Sequence, residues 1–423
     1  MLSNRLALLS ELTLKSMWNR RFTASLAIFS IAISVLLILS VETIRTEARE
    51  SFTNSVSGTD LLVGARSGPL PLLLYSVFHI GNATNNIDWK SYQEISGHRS
   101  VAWSVPLSLG DSHRGFRVIG TTQDYFTHFT YGDEQSLRFA AGQPFADVYD
   151  AVIGADVAEE LGYAPGDALT LAHGVSDTHF SRHDDKPFTL VGVLQKTGTP
   201  VDRSILVSLE GIEALHIDWQ GGTRSRDTVS ADEALKMDLQ PKQITAFMLG
   251  LQSKMDIFRM QRAINNYRKE PLLAILPGIA LSELWQLIGT AEKALFAVSV
   301  FVLVNSFIGL LTLILSSLNE RRREIAILRS LGARPRQVFS LLTLESLLFA
   351  FLGCVVGMLL YYLMIVLAAP LFQSLGLYIP VSLLSAYEWS ILGVILLFSV
   401  LLGIVPGYRA YRLSLAEGMS VKA

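Results

Sequence analysis

Charge is scarce in this sequence. Of its 423 residues, 17% are Asp, Glu, Lys or Arg, against 50% that are hydrophobic. A water-soluble chain carries nearer about a quarter charged residues, so a wholly soluble protein is excluded. Cysteine is almost absent: the one thiol, Cys354, lies in an apolar run, which excludes an intrachain disulfide framework and leaves the redox compartment unread. A net charge of −2 excludes nucleic-acid binding through a global basic field. The dipeptide Gly-Lys never occurs, so the Gly-x4-Gly-Lys-Ser/Thr loop that cradles nucleotide phosphates is missing from these residues. No Gly-x-Ser-x-Gly elbow accompanies the scattered Ser, His and Asp residues, so no hydrolase triad is supported.

What charge there is gathers in the middle of the chain. Residues 42–293 read as an ordinary soluble segment, while long apolar runs fill 22–41 and 294–408. Phe22–Val41 is uncharged for 20 residues, and at about 1.5 Å per residue that covers the roughly 30 Å hydrocarbon layer. Further spans are expected at 294–318, 345–369 and 389–408, the third stopping before Pro370 and the fourth bounded by aromatics. A cleaved signal peptide is the competing reading of the first run. That run is too long for one, and Val41–Arg45 offers no small-residue cleavage site. The expected fold class is therefore a membrane protein with four transmembrane α-helices and a large α+β extracytoplasmic domain inserted between the first two.

Basic residues set the expected orientation. Lys15, Arg20 and Arg21 precede the first span, and Arg321, Arg322, Arg323, Arg329, Arg334 and Arg336 lie between the second and third. Arg409, Arg412 and Lys422 follow the fourth, whereas 370–388 has no Lys or Arg. The positive-inside bias puts both termini, the 319–337 loop and the 409–423 tail in the cytoplasm, with 42–293 and 370–388 outside. Within 1–21, Leu6, Leu9, Leu12 and Leu14, with Met17 and Trp18, recur near helical spacing. They make either an interfacial amphipathic helix or a plain extension of the first span.

The loop between the second and third spans holds more than charge. Ile325, Leu328 and Leu331 recur at every third residue and make a narrow apolar stripe, Gly332 supplies a stop, and Pro335 prevents continuation. Topology alone, or contact with anionic lipid, requires the arginines but not that stripe. The run from Arg323 and Glu324 through Ile325, Ala326, Ile327, Leu328, Arg329, Ser330 and Leu331 to Gly332 and Ala333 resembles the signature of MacB/FtsX/LolC-type (type VII) ABC transporter permeases. Pro406–Gly418 is similar to that family's C-terminal tail, and Val152–Leu171 to its periplasmic segment of glycine-led helix, Gly-Asp turn and strand. The resemblance covers essentially the whole chain. It implies that Arg323, Glu324, Ile325, Leu328, Arg329, Leu331 and Gly332 form a coupling helix that docks on an ATPase.

In the soluble segment, Phe188–Leu194, Ser204–Leu209 and Ile244–Leu251 read as strands. Asp156–Leu161, Leu209–His216 and Ser253–Tyr267 read as helices, the last with Met255, Phe258, Met260, Ala263 and Ile264 on one face. The resemblance implies a porter-like unit from 56–115 and 235–280, with a mostly β subdomain inserted. Charged flanks at 42–51 and 281–293 would carry the first two spans outward as a stalk. Gln220–Arg226, with paired glycines, reads as a mobile surface loop. His173, His179 and His183 fall within eleven residues, with Asp184 beside them. Imidazole and carboxylate suit zinc, nickel or copper, but strand-like flanks make a solvated hairpin tip the competing reading. Gly353 with Gly357, and Gly403 with Gly407, have the spacing that permits close helix packing, and Asn305 could bond across spans.

The resemblance implies a permease subunit, not itself an enzyme and with no cofactor of its own, whose partner ATPase binds ATP and magnesium. A second permease copy, identical or different, would complete the assembly in a bacterial inner membrane. The substrate class, among lipoprotein, lipid, peptide or another periplasmic molecule, stays open. So do an FtsX-like regulator of a periplasmic hydrolase and a membrane-anchored metal-binding protein.

Overall fold

The computed structural model describes residues 21–55, 58–173, 185–220, 223–224, 229–320, 327, 330, 334–374 and 383–412. The chain divides into two compact units, one of Met1–Glu47, Gly289–Leu375 and Ile379–Ala423, the other of Ala48–Ile288 with Gly376–Tyr378.

The second unit is built on one 11-stranded sheet. Its strands are β1 (Leu61–Ala65), β2 (Val101–His113), β3 (Phe116–Thr121), β4 (Phe139–Gly142), β5 (Asp150–Ile153), β6 (Ala168–Leu169), β7 (Ala172–His173), β8 (Phe188–Leu194), β9 (Ser204–Ser208), β10 (Ala246–Leu251) and β11 (Leu272–Ile275). The order is β11-β1-β10-β2-β3-β9-β5-β8-β4, with β7 added to β2 and β6 to β8. Pairing is antiparallel except for β9 on β3 and β8 on β5. Alternation along the strands decides which face each side chain covers. Leu61 and Val63 of β1 join Phe247 and Leu249 of β10 in one core, against Tyr92 and Ile95 of α3 (Trp89–Ser96) and Met260 and Ile264 of α6 (Ile257–Asn265). Leu62 and Met248 face the opposite way, onto Leu72 and Leu73 of α2 (Pro69–Val77). Gly64 is what lets α2 come so close, because a Cβ there would lie 2.6 Å from the Tyr75 hydroxyl.

β2 is 13 residues long and serves two partners in succession. Val101–Leu107 pairs with β10, and Ser108–His113 pairs with β3. The two halves of the sheet, the second of which carries α4 (Ala155–Leu161) and α5 (Leu209–His216), therefore share one strand. The sequence signals for α4 act as they read: Gly154 precedes it in extended conformation, and Gly162 ends it at φ 69, donating its N–H to the Ala158 carbonyl. Ser208 caps α5 by accepting from the Gly211 N–H.

α6 differs from the expected helix. A 3₁₀ turn occupies Lys254–Asp256 and the α-helix starts at Ile257, so Met260 and Ile264 point inward. Met255 and Phe258 are 86% and 67% exposed. The change of pitch at Ile257 breaks the phase that a single helix over 253–267 would keep. Trp219–Gln220 also differs from an open loop: it pairs antiparallel with Thr223–Arg224 across the two glycines.

The first unit holds four helices long and apolar enough to cross a membrane, within α1 (Arg21–Asn54), α7 (Pro277–Glu320), α8 (Pro335–Ser374) and α9 (Ala386–Arg412). Each outruns its expected span. α8 continues through Pro370 to Ser374 where a stop was expected. Proline there removes one backbone bond, and with only the last turn following, the loss stays local.

Candidate functional site

One apolar cluster runs through the four helices, with Ile31, Leu310, Phe349 and Ile395 among its members, and polar contacts add specific ties within it. Ser30 and Ser34 lie one turn apart on α1, and each hydroxyl sits 2.8 Å from the hydroxyl of Ser306 on α7. Ser306 also lies 3.0 Å from the Ser30 carbonyl. Among lipid-compatible side chains these bonds satisfy one another without charge, at roughly 0.6–2 kcal/mol apiece. A second tie joins three helices. Thr43 of α1 is 2.7 Å from the Tyr361 hydroxyl of α8 and donates at 3.4 Å to Glu388 of α9. Glu388 also closes a capping box at the start of α9: its carboxylate accepts the Ser385 N–H at 2.6 Å, and its own N–H donates to the Ser385 hydroxyl at 3.3 Å. Next to it, the Arg45 guanidinium forks onto Glu42 at 2.6 and 3.1 Å.

Glycines set how near the helices come. A Cβ on Gly353 would sit 2.7 Å from the Ile31 Cβ, and one on Gly357 would sit 2.7 Å from the Ala32 carbonyl oxygen. A Cβ on Gly403 would lie 3.0 Å from the Thr343 Cα, and one on Gly407 would lie 2.9 Å from the Phe339 ring. α8 thus meets α1 on one glycine pair and α9 on another.

The sheet unit has its own buried chemistry. Lys186 and Asp218 form an ion pair at 2.8 Å with both side chains out of solvent. Lys186 stands just before β8, and Asp218 follows α5. His216 Nε2 lies 3.6 Å from the Asp111 carboxylate. Burial disfavours the charged imidazole, but Asp111 outweighs it and holds the His216 pKa above its ordinary value. His173 of β7 is in register with Asp111 of β2. His79, in the left-handed region at φ 56, lines a small cleft with Ser55, Thr59, Tyr125 and Pro277. Burial, aided by the Arg117 charge, pushes its pKa down to about 4. Its Nδ1 is 3.1 Å from the Ser204 hydroxyl.

Comparison with known proteins assigns this architecture. The family model described as "MacB-like periplasmic core domain" matches residues 24–266, more than half of the chain. The model described as "FtsX-like permease C-terminal" matches residues 296–415. The chain belongs to the MacB/FtsX-type permeases. As a member of that family it is a multi-pass inner-membrane protein. Among its curated relatives, a "Macrolide export ATP-binding/permease protein MacB" of Nitrobacter winogradskyi is 23% identical over 417 residues, 94% of this permease and 57% of the relative. An uncharacterised ABC transporter permease of Methanocaldococcus jannaschii is 23% identical over 254 residues, 57% of each chain. The permease thus spans a little under three fifths of these relatives' length. The crystal structure of the periplasmic region of MacB from Actinobacillus actinomycetemcomitans aligns with 54% of this chain and 93% of its own, at 10% identity and TM-score 0.32.

The residues singled out in the sequence of the permease fare differently. Arg323, Glu324, Ile325, Leu328, Arg329, Leu331 and Gly332 lie outside the described residues, as do His179, His183 and Asp184. Among the described residues no group of three His, Cys, Asp or Glu is placed to hold a metal. Gly353 and Gly357 both face α1. Asn305 is exposed, and the bonds across to α1 come from its neighbour Ser306 instead. Sequence reasoning missed the serine trio, although Ser30 and Ser34 at i, i+4 within an apolar run were the available signal.

Proposed function

We propose that this permease couples ATP hydrolysis by a partner ATPase subunit to movement of its extracytoplasmic domain, and that two permease copies make the working unit. Both termini and the 319–337 helix lie in the cytoplasm in this reading, and residues 42–293 lie outside. The observation that carries it is the length of α1 and α7, 34 and 44 residues without a break. A bilayer-crossing helix needs only about 20. The surplus, roughly 14 and 24 residues at about 1.5 Å each, supplies two rods that pass a push onward with little loss. Ser306, bonded to both Ser30 and Ser34, keeps those rods in step. The substrate, a lipoprotein, lipid, peptide or other extracytoplasmic molecule, would be moved on that side and not through an aqueous channel.

The test is at the docking helix. Ile325, Leu328 and Leu331 changed together to Asp should abolish copurification of the ATPase, and unchanged copurification would overturn the reading. Recovery of an extracytoplasmic hydrolase with the intact complex, and no ATP-driven release of any substrate, would favour the regulatory alternative. A second reading adds a metal. Zinc or a similar ion would be held by His173, His179, His183 and Asp184, a reading supported by the spacing of the three histidines within eleven residues of the sequence, with Asp184 beside them. Zinc binding tighter than about millimolar that is lost in His173→Ala would support it, and no such binding would remove it.

A further inference from the structure

The bundle-facing edge of α7 is accounted for by Ser299, Ser306, Phe307, Leu310 and Ile314, all buried. The opposite edge is not. Ala294, Val298, Phe301, Asn305, Ile308 and Thr312 are all exposed, and they recur at intervals of 4, 3, 4, 3 and 4 residues. That is a heptad seam, the pattern by which two helices lock side chains together. In its middle stands Asn305.

The depth of Asn305 follows from its neighbour. Ser306 is hydrogen bonded to Ser30 and Ser34, which lie at the centre of the apolar run of α1. Asn305 is therefore held at mid-bilayer and turned outward from the four helices, and among the described residues no hydrogen bond reaches its amide. Lipid chains offer that amide neither donor nor acceptor, so a lipid-facing site is costly. A carboxamide both donates and accepts, so across a two-fold axis it is satisfied by its own twin.

We infer that the α7 seam is the membrane contact between two copies of this chain, with Asn305 of each copy bonded to Asn305 of the other. This rests on the two-copy reading above and adds the face, the register and the residue that sets it. A single polar residue in an apolar seam fixes register, because any slip leaves both amides unpaired. Charged side chains play no part in it.

The test uses the full chain, with Cys354→Ala as background, in native membranes alongside its ATPase. Single cysteines are introduced as Phe301→Cys and Ile308→Cys on the seam, and as Leu363→Cys on α8 and Leu397→Cys on α9, all exposed positions. Oxidation should join seam cysteines into a dimer of this chain and leave the other two monomeric. In a separate dilution series in lipid vesicles, Asn305→Leu should weaken association by roughly 3- to 30-fold, and Asn305→Gln should recover most of it. Cross-linking at Leu363→Cys or Leu397→Cys but not on the seam would overturn the inference. So would a seam product that mass spectrometry shows to contain a different permease, or Asn305→Leu associating as tightly as wild type. Loss of the ATPase from the complex would count against the proposed function instead, and leaves the cross-linking pattern readable by itself.

Discussion

Replacing Lys186 by Met should cost the sheet unit more than any surface change. The Nζ–Oδ1 distance is 2.8 Å, and the two side chains are 0% and 1% exposed, so the mutation takes the cation away from a carboxylate that stays buried. Removing one partner of such a pair costs about 3–5 kcal/mol. The unit that spans 48–288 has about 240 residues, a size at which each kcal/mol lowers the melting temperature by roughly 2–4 °C, so a fall of about 6–20 °C is expected. The double change Lys186→Met with Asp218→Leu removes the charge altogether and should recover most of that loss, ending within about 1–2 kcal/mol of wild type. Urea unfolding of the 48–288 unit, followed by circular dichroism, measures both. A cost below about 1 kcal/mol for Lys186→Met, or a double variant no better than the single one, would refute the reasoning. Either result would mean that Asp218 reaches solvent or sheds its charge cheaply. The pair matters because Lys186 stands at the root of the histidine-rich loop and Asp218 at the root of the Gly-Gly hairpin.

Other consequences are equally open to measurement. His79 has its pKa depressed to about 4, so the unfolded chain binds the extra proton first as pH falls. Stability should therefore be full above about pH 6.5 and decline by about 1–3 kcal/mol towards pH 4, and His79→Asn, which tolerates the same φ, should flatten that decline in denaturation curves. Gly357→Ala puts a methyl against the Ala32 carbonyl and should destabilise the detergent-solubilised protein by about 1–3 kcal/mol, whereas Gly393→Ala, with open space around it, should be nearly neutral or slightly stabilising in a thermal-shift assay. Ser306→Ala removes all three of its contacts to α1 and should loosen that helix pair by about 1–2 kcal/mol, read as faster proteolysis of α1 in detergent.

Much of the architecture could be read from local pattern because local chemistry decides it. The four apolar runs, β8 and α4 follow from composition, alternation and terminating glycines, and α5 from its Ser208 cap. The face of α6 could not, because a single 3₁₀ turn at Lys254–Asp256 shifts the phase and leaves Met255 and Phe258 outside. Nor could the sheet order, since β1 lies between β10 and β11, almost two hundred residues further along the chain, and nothing near β1 announces them. The polar ties were hidden for a related reason. Ser306, Tyr361 and Glu388 look unremarkable in isolation and acquire meaning only opposite Ser30, Ser34 and Thr43. Asn305 stands out for its polarity, but its direction depends on the rotation of α7, which Ser306 fixes.

The shared strand β2 bears on how this domain came to be and how it assembles. An insertion that hangs from a loop can be excised and will fold alone. This one cannot, because cutting out β3 through β9 would strip Ser108–His113 of its partners and leave a raw sheet edge prone to aggregation. The excised piece, in turn, would lack the strand that starts its own sheet. During synthesis, β2 emerges long before β10, so its first half waits unpaired while the whole insertion is made. The two halves are thus bound to a common folding event and a common evolutionary fate, and loops around the rim are where relatives should differ in length.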